Sequence, residues 1–141
     1  MTRVLITGGD GRVGRAVTKR FVQQGWDVRV IGILPDVEIE GAKYTQCDIE
    51  DYAKLREQVH GCHAIVHLAA IPSPISHPAQ DMYRINTAGT FNVFEAADAE
   101  GVGRIVQASS INAIGCAWNL KQLEAQYLPI DEEHPSVTTD P

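Results

Sequence analysis

Short apolar runs alternate with amphipathic stretches along most of the chain. Arg3–Thr7 (RVLIT) is apolar and halts at glycines, the pattern of a short buried strand. GRVGRAVTKRFVQQG follows, with Val13, Ala16, Val17 and Phe21 at helical spacing and Gly25 as a stop. Asp27–Ile33 (DVRVIGI) is a second β-rich run, AKYTQCD a short third, and DYAKLREQVHG a polar helix ending at Gly61. Ala64–Ala70 (AIVHLAA) is apolar on both faces, as a central parallel strand must be. The loop IPSPISHP is too rich in proline for regular structure. A long helix is expected near Ala79–Glu100, with Met82, Ile85, Gly89, Val93 and Ala96 along one stripe. GRIVQASS reads as a fifth strand, and beyond it only Leu120–Gln126 carries helical character.

Strands separated by helices in this order predict a parallel sheet covered on both faces, a doubly wound α/β fold over residues 1–141. Right-handed crossovers give the strand order 3-2-1-4-5. Ligands of such sheets bind beyond the carboxyl ends of the strands, where the order reverses between strands 1 and 4. The residues that close each strand are therefore the ones to read for chemistry.

Composition narrows the partners. The chain has 141 residues, enough for one domain with a core, and is 44% hydrophobic and 21% charged, which argues against disorder. A net charge of −6 argues against a nucleic-acid partner. It leaves an anionic ligand open, because backbone N–H groups hold phosphate without cationic side chains. Cys47, Cys62 and Cys116 are scattered, with no C-x-x-C, the habit of a reduced cytoplasmic protein. Cys62, His63 and His67 lie close together in CHAIVH and invite a zinc reading. Strand alternation sends Cys62 and His63 to opposite faces, so a packed thiol and ordinary histidines are expected, with no metal. Neither an N-terminal h-region nor a stretch of membrane-spanning length is present, which makes a membrane partner unexpected.

ITGGDGRVG joins the first strand to the first helix and spaces Gly8, Gly11 and Gly14 as G-x-x-G-x-x-G. A dinucleotide site needs a tight turn at Gly8, close approach to a pyrophosphate near Gly11, and close packing at Gly14. The N–H groups around Arg12 and Val13 then face the diphosphate at the positive end of the helix.

TGGDGRVG resembles the fingerprint of the extended short-chain dehydrogenase/reductase family, the NAD-dependent epimerases and dehydratases, whose fold is Rossmann-like. Further stretches agree in order. CDIEDY resembles the family's segment after strand 3, which implies Asp48 on the adenine amino group and Ile49 against the ring. HLAA resembles the end of its fourth strand, where Leu68, Ala69 and Ala70 line the cofactor. NTAGTFNVFEAA resembles its helix motif, implying that Asn86 stands beside the active site. ASSINAIG resembles its fifth-strand signature, placing Ser110 as the catalytic serine and Ser109 near the nicotinamide. Read without the resemblance, Asp48 suits a helix cap, Asn86 a buried polar role and the serine pair a turn.

The pattern also departs from the family. Gly32 stands at the end of strand 2, where an acid would hold the ribose 2′-hydroxyl of NAD. No arginine stands there for a 2′-phosphate, although Arg12 and Arg29 are near in sequence, so NAD is favoured and NADP stays open. Ile114 replaces a frequent tyrosine. The family's Tyr-x-x-x-Lys pair, which takes the substrate hydroxyl proton, has no counterpart, because Tyr83 is too early and Tyr127 has no lysine after it. DEEHPSVTTDP reads as the approach to that helix, so the chain is expected to be the cofactor-binding half of a longer enzyme, truncated before the tyrosine helix and inert alone. One face of strands 4 and 5 would then lie partly bare and favour self-association. The implied activity is hydride transfer on a hydroxylated small-molecule substrate, a sugar or nucleotide sugar, in a homodimeric oxidoreductase, epimerase or dehydratase. The alternative is a dinucleotide-binding module without turnover.

Overall fold

In the computed structural model, residues 1–73, 77–110 and 127–135 are described. The stretch 120–126, Ile114, Cys116, the middle of the proline-rich loop and the end at Pro141 lie outside them. The chain forms two compact units, Met1–Gln107 and Ala108–Pro141.

The first unit runs β1 (Arg3–Thr7), α1 (Arg12–Gln23), β2 (Asp27–Gly32), β3 (Ala42–Gln46), α2 (Tyr52–Val59), β4 (Ala64–His67), α3 (Ala79–Tyr83), a π-helical segment (Arg84–Gly89), α4 (Thr90–Ala99) and β5 (Ile105–Gln107). The sheet is parallel with order β3-β2-β1-β4-β5, the topology that the alternation predicts. Thr7 pairs with Ile31 on one side and His67 on the other, so β1, β2 and β4 end level. That shared edge is where a ligand of this fold is received.

Period-2 alternation divides the core into two layers. Leu5, Ile31 and Ile65 face one side, packed with Leu55 and Val59 of α2 and Val93, Ala96 and Ala97 of α4. Val4, Ile6, Val28, Val30 and Val66 face the other, under Val17, Phe21 and Val22 of α1. Each fully buried branched residue contributes about 1.5–3 kcal/mol of hydrophobic stabilisation. The cover ends at the edge strand. All four residues of β4 are buried, contrary to the expectation of a bare face there, whereas Val106 of β5, paired with Val66, is 60% exposed.

Two helices differ from their sequence patterns. In α1 the inward face is Gly14, Val17, Thr18, Phe21 and Val22, while Val13 and Ala16 point outward. The cause is steric: the helix docks through Gly14, and that contact turns Val13 to solvent. The long helix between β4 and β5 keeps αR geometry at Tyr83, Arg84, Gly89 and Thr90 but widens to a π-helix from Arg84 to Gly89. Such wide turns are rare and often mark functional sites. Here the wide turn holds both Asn86 and Gly89, and a Cβ on Gly89 would fall 2.6 Å from Ile49 Cδ1.

Candidate cofactor site

The loop after β1 folds as it does because side chains are missing where backbone meets backbone. Gly8 has φ +63°, and a Cβ on it would lie 2.8 Å from Ala69 N. Its N–H donates to the Ile31 carbonyl at 2.8 Å, which ties the loop to β2. A Cβ on Gly14 would fall 2.3 Å from the Gly8 carbonyl oxygen and 2.4 Å from Gly9 Cα, so α1 rests directly on the loop. Gly9 is a third glycine required by the packing, one that the motif spacing does not reveal, since its Cβ would strike Val30 Cγ1 at 2.4 Å.

Gly11 is different. It is exposed, with φ −73° and ψ 171°, and an added Cβ would meet only the Gly8 oxygen at 3.3 Å. The fold asks less for a glycine there than at Gly8, Gly9 or Gly14, and the missing side chain leaves the loop open above it. No side chain caps α1 and no acid occupies its first turn, so the N–H groups at Arg12 and Val13, both exposed residues, keep the positive end of the helix available. An open glycine, a bare helix start and two loop glycines that allow no Cβ together fit a dinucleotide diphosphate.

Beside the loop lies a buried polar latch. Thr7 Oγ1 accepts from the N–H groups of Leu68 and Ala69, both at 3.1 Å, and lies 2.6 Å from His67 Nδ1. With those two donors on its oxygen, the threonine hydroxyl donates its one proton to Nδ1. The proton of the neutral imidazole is then on Nε2, which donates to Thr90 Oγ1 at 2.9 Å. His67 is 2% exposed, and burial lowers its pKa from 6.5, so the ring stays neutral. The latch joins β1, β4 and α4 and holds Leu68 and Ala69, both half-buried, while Ala70 is exposed. The motif reading missed Thr7, His67 and Thr90; a histidine closing an apolar strand was the available signal.

The remaining residues divide by role. Asn86 grips the loop after β4 at two points, accepting from Ile71 N–H at 2.8 Å and donating to Ile71 O at 3.0 Å. Asp48 is exposed, and its Oδ1 accepts from Glu50 N–H at 3.0 Å. The helix cap suggested for Asp48 belongs instead to Asp51, which accepts from Lys54 N–H. Ile49 is buried in the core against Gly89, and its carbonyl accepts from Asn92 Nδ2 at 3.0 Å. Arg29 is spent on the carbonyls of Gln58 and His60 at the end of α2. Cys62, His63 and His67 go to separate partners: Gln58 O, Arg3 N–H and the latch. Burial pushes the Cys47 thiol up to about 11.

Ser109 and Ser110 follow β5, are exposed and fall in the second unit. In that unit Tyr127 donates its hydroxyl to Asp131 Oδ1 at 2.7 Å. Desolvation first, then this bond, raises the tyrosine pKa, the reverse of what a proton-abstracting phenolate needs.

The sequence model of the NAD dependent epimerase/dehydratase family matches residues 4–136. The chain belongs to that family. It is 35% identical to uronate dehydrogenase of Agrobacterium fabrum over 82% of its own length and 43% of the relative's. It is 34% identical to L-arabinose 1-dehydrogenase (NAD(P)(+)) of Haloferax volcanii, over 100% of its length and 54% of the relative's. A crystal structure of UDP-glucose 4-epimerase from Brucella ovis in complex with NAD superposes with a TM-score of 0.82 at 25% identity, covering 96% of this chain and 42% of that one. The chain thus spans about half the length of the curated relatives it matches. The family's cofactor is NAD, and the parallel sheet is that of its Rossmann-fold members. Among the described residues no helix is long and apolar enough to cross a membrane.

Two expectations follow for this family member. Gly11→Val leaves the urea midpoint nearly unchanged but removes saturable NADH fluorescence, whereas Gly14→Ala costs about 2 kcal/mol or more through backbone overlap. Equal stability loss in both variants contradicts the assignment. The second concerns pH. The folded pKa of His67 lies below its unfolded value, so its share of stability is intact above about pH 6.5 and is lost on acidification below it. Urea midpoints between pH 7.5 and 5.5 fall less steeply in His67→Gln than in the wild type; parallel slopes exclude this linkage.

Proposed function

We propose that this chain, residues 1–141, is the NAD-binding part of an oxidoreductase, epimerase or dehydratase acting by hydride transfer on a hydroxylated sugar or nucleotide-sugar-like substrate. The observation that carries this reading is the loop at Gly11, open above a glycine that the fold asks for less than Gly8, Gly9 or Gly14, beside an uncapped helix start. The uronate and arabinose dehydrogenases among its relatives and the NAD-bound epimerase support the substrate class. NAD, when bound, supplies the hydride acceptor. The loop and the α1 start then hold its diphosphate, Asp48 is assigned to the adenine, and Leu68 to Ala70 line the cofactor. Asn86 keeps the post-β4 loop in place through its two bonds to Ile71. Ser109 is assigned near the nicotinamide, and Ser110 orients the substrate hydroxyl.

Tyr127 shares its proton with Asp131 and does not suit the base. The base is therefore assigned to a tyrosine beyond this chain, and the 141 residues are expected to bind cofactor without turnover. Tyr83, Phe91 and Phe94 are exposed along the helix between β4 and β5 and support a homodimer. The free, buried thiols of Cys47 and Cys62 support a reducing, cytoplasmic setting.

The test is NADH titration by fluorescence, followed by absorbance at the NADH band with NAD and a panel of uronates, aldoses and nucleotide sugars. Saturable binding with no turnover is expected, and Ser110→Ala leaves the affinity nearly unchanged. No saturation at millimolar NADH removes the reading; turnover by the chain alone removes the assignment of the base elsewhere. Light scattering on the same sample reads whether this helix face pairs two copies, and a monomer at all concentrations removes its support for a homodimer of the parent protein.

A further inference from the structure

β2 ends on Gly32, where this fold commonly carries an acid for the adenosine ribose. The space is not empty. A Cβ on Gly32 would fall 2.4 Å from Asp10 Oδ1, 2.5 Å from its Cγ and 2.6 Å from its Oδ2. The whole carboxylate of Asp10 therefore lies over the end of β2, where a side chain at position 32 would begin.

Its place is fixed by the loop that carries it. Gly8 and Gly9 both donate to the Ile31 carbonyl, at 2.8 and 3.4 Å, and Gly9 sits against Val30 with no room for a Cβ. Asp10 is thus held one residue beyond a double attachment to β2. No cation neutralises it: among the described residues its carboxylate has neither an ion pair nor a hydrogen bond. Arg15 Nε donates to the Asp10 backbone oxygen at 3.0 Å, and Arg29 is committed to α2. The neighbouring Tyr44 turns its hydroxyl to the Leu34 carbonyl at 2.6 Å.

We infer that Asp10 selects NAD over NADP, its carboxylate accepting from the adenosine ribose hydroxyls and repelling a 2′-phosphate in place of the acid that β2 lacks. This inference rests on the cofactor reading above. A free carboxylate accepts hydrogen bonds from a vicinal diol and has only acceptors to offer a phosphate dianion. The same geometry explains Gly32, because any larger residue displaces the carboxylate.

Calorimetric titration of the 141-residue chain with NAD⁺ and NADP⁺ tests it without recourse to turnover. The wild type is expected to bind NAD⁺ at least about tenfold more tightly, a like charge facing a 2′-phosphate being worth that much or more. Asp10→Asn removes most of this preference by weakening NAD⁺ and strengthening NADP⁺. Asp10→Gly combined with Gly32→Asp restores it from the strand side. NAD⁺ lacking the adenosine 2′-hydroxyl binds the wild type more weakly than NAD⁺, a comparison that needs no variant to fold. Equal wild-type affinity for NAD⁺ and NADP⁺, an unchanged ratio in folded Asp10→Asn, or equal affinity for the 2′-deoxy analogue overturns the role of Asp10 while leaving the cofactor reading standing. Binding of neither dinucleotide by the wild type removes both.

Discussion

The contact on which the site depends is between two stretches of backbone: Gly14 at the start of α1 against Gly8 and Gly9 of the preceding loop. An approach of this kind allows no side chain on either partner. It sets the angle at which α1 leaves the sheet, and so fixes both the direction of its dipole and the residues it lays on β1 and β2. The cost is a helix start without a capping side chain. Four N–H groups at such a start need partners, and the cap residue, Gly11, has no side chain to offer one.

The second support works through polar groups. Thr7, His67 and Thr90 form a chain of hydrogen bonds across β1, β4 and α4, in which both ring nitrogens of His67 are partnered. Buried networks of this sort are stable only when fully satisfied. Because Thr7 also accepts from the first two residues after β4, it ties the end of β1 to the loop that follows β4. Asn86 extends the arrangement outward by gripping Ile71, and the wide helical turn around it gives the helix room to reach both the loop and Ile49.

Much of this was legible in the sequence because the fold follows from periodicity and punctuation. RVLIT, DVRVIG and AIVH alternate with helical stretches, and right-handed crossovers then leave one order for the five strands. The glycine spacing disclosed the close-packed turn between β1 and α1 for the same reason. What was not legible depends on which atoms meet across distant segments. Val13 fits a helical stripe on paper, yet the docking of Gly14 turns it to solvent. His67 reads as an ordinary strand histidine, and its part as a neutral link between two threonines shows only in the structure. Asp48 suits a cap in sequence, but the path of the chain into α2 gives that role to Asp51. β4 was expected to be partly bare, but its side chains are covered from both faces, so exposure begins one strand later at Val106.

The overlap at the end of β2 has a historical side. A side chain at position 32 and the carboxylate of Asp10 exclude one another from the same space. A lineage therefore passes from one arrangement to the other only through a sequence in which the two acids collide or one in which neither is present. Descendants of either arrangement should consequently keep the matching pair, Asp with Gly or a small residue with an acid, as a unit of inheritance rather than as two independent sites.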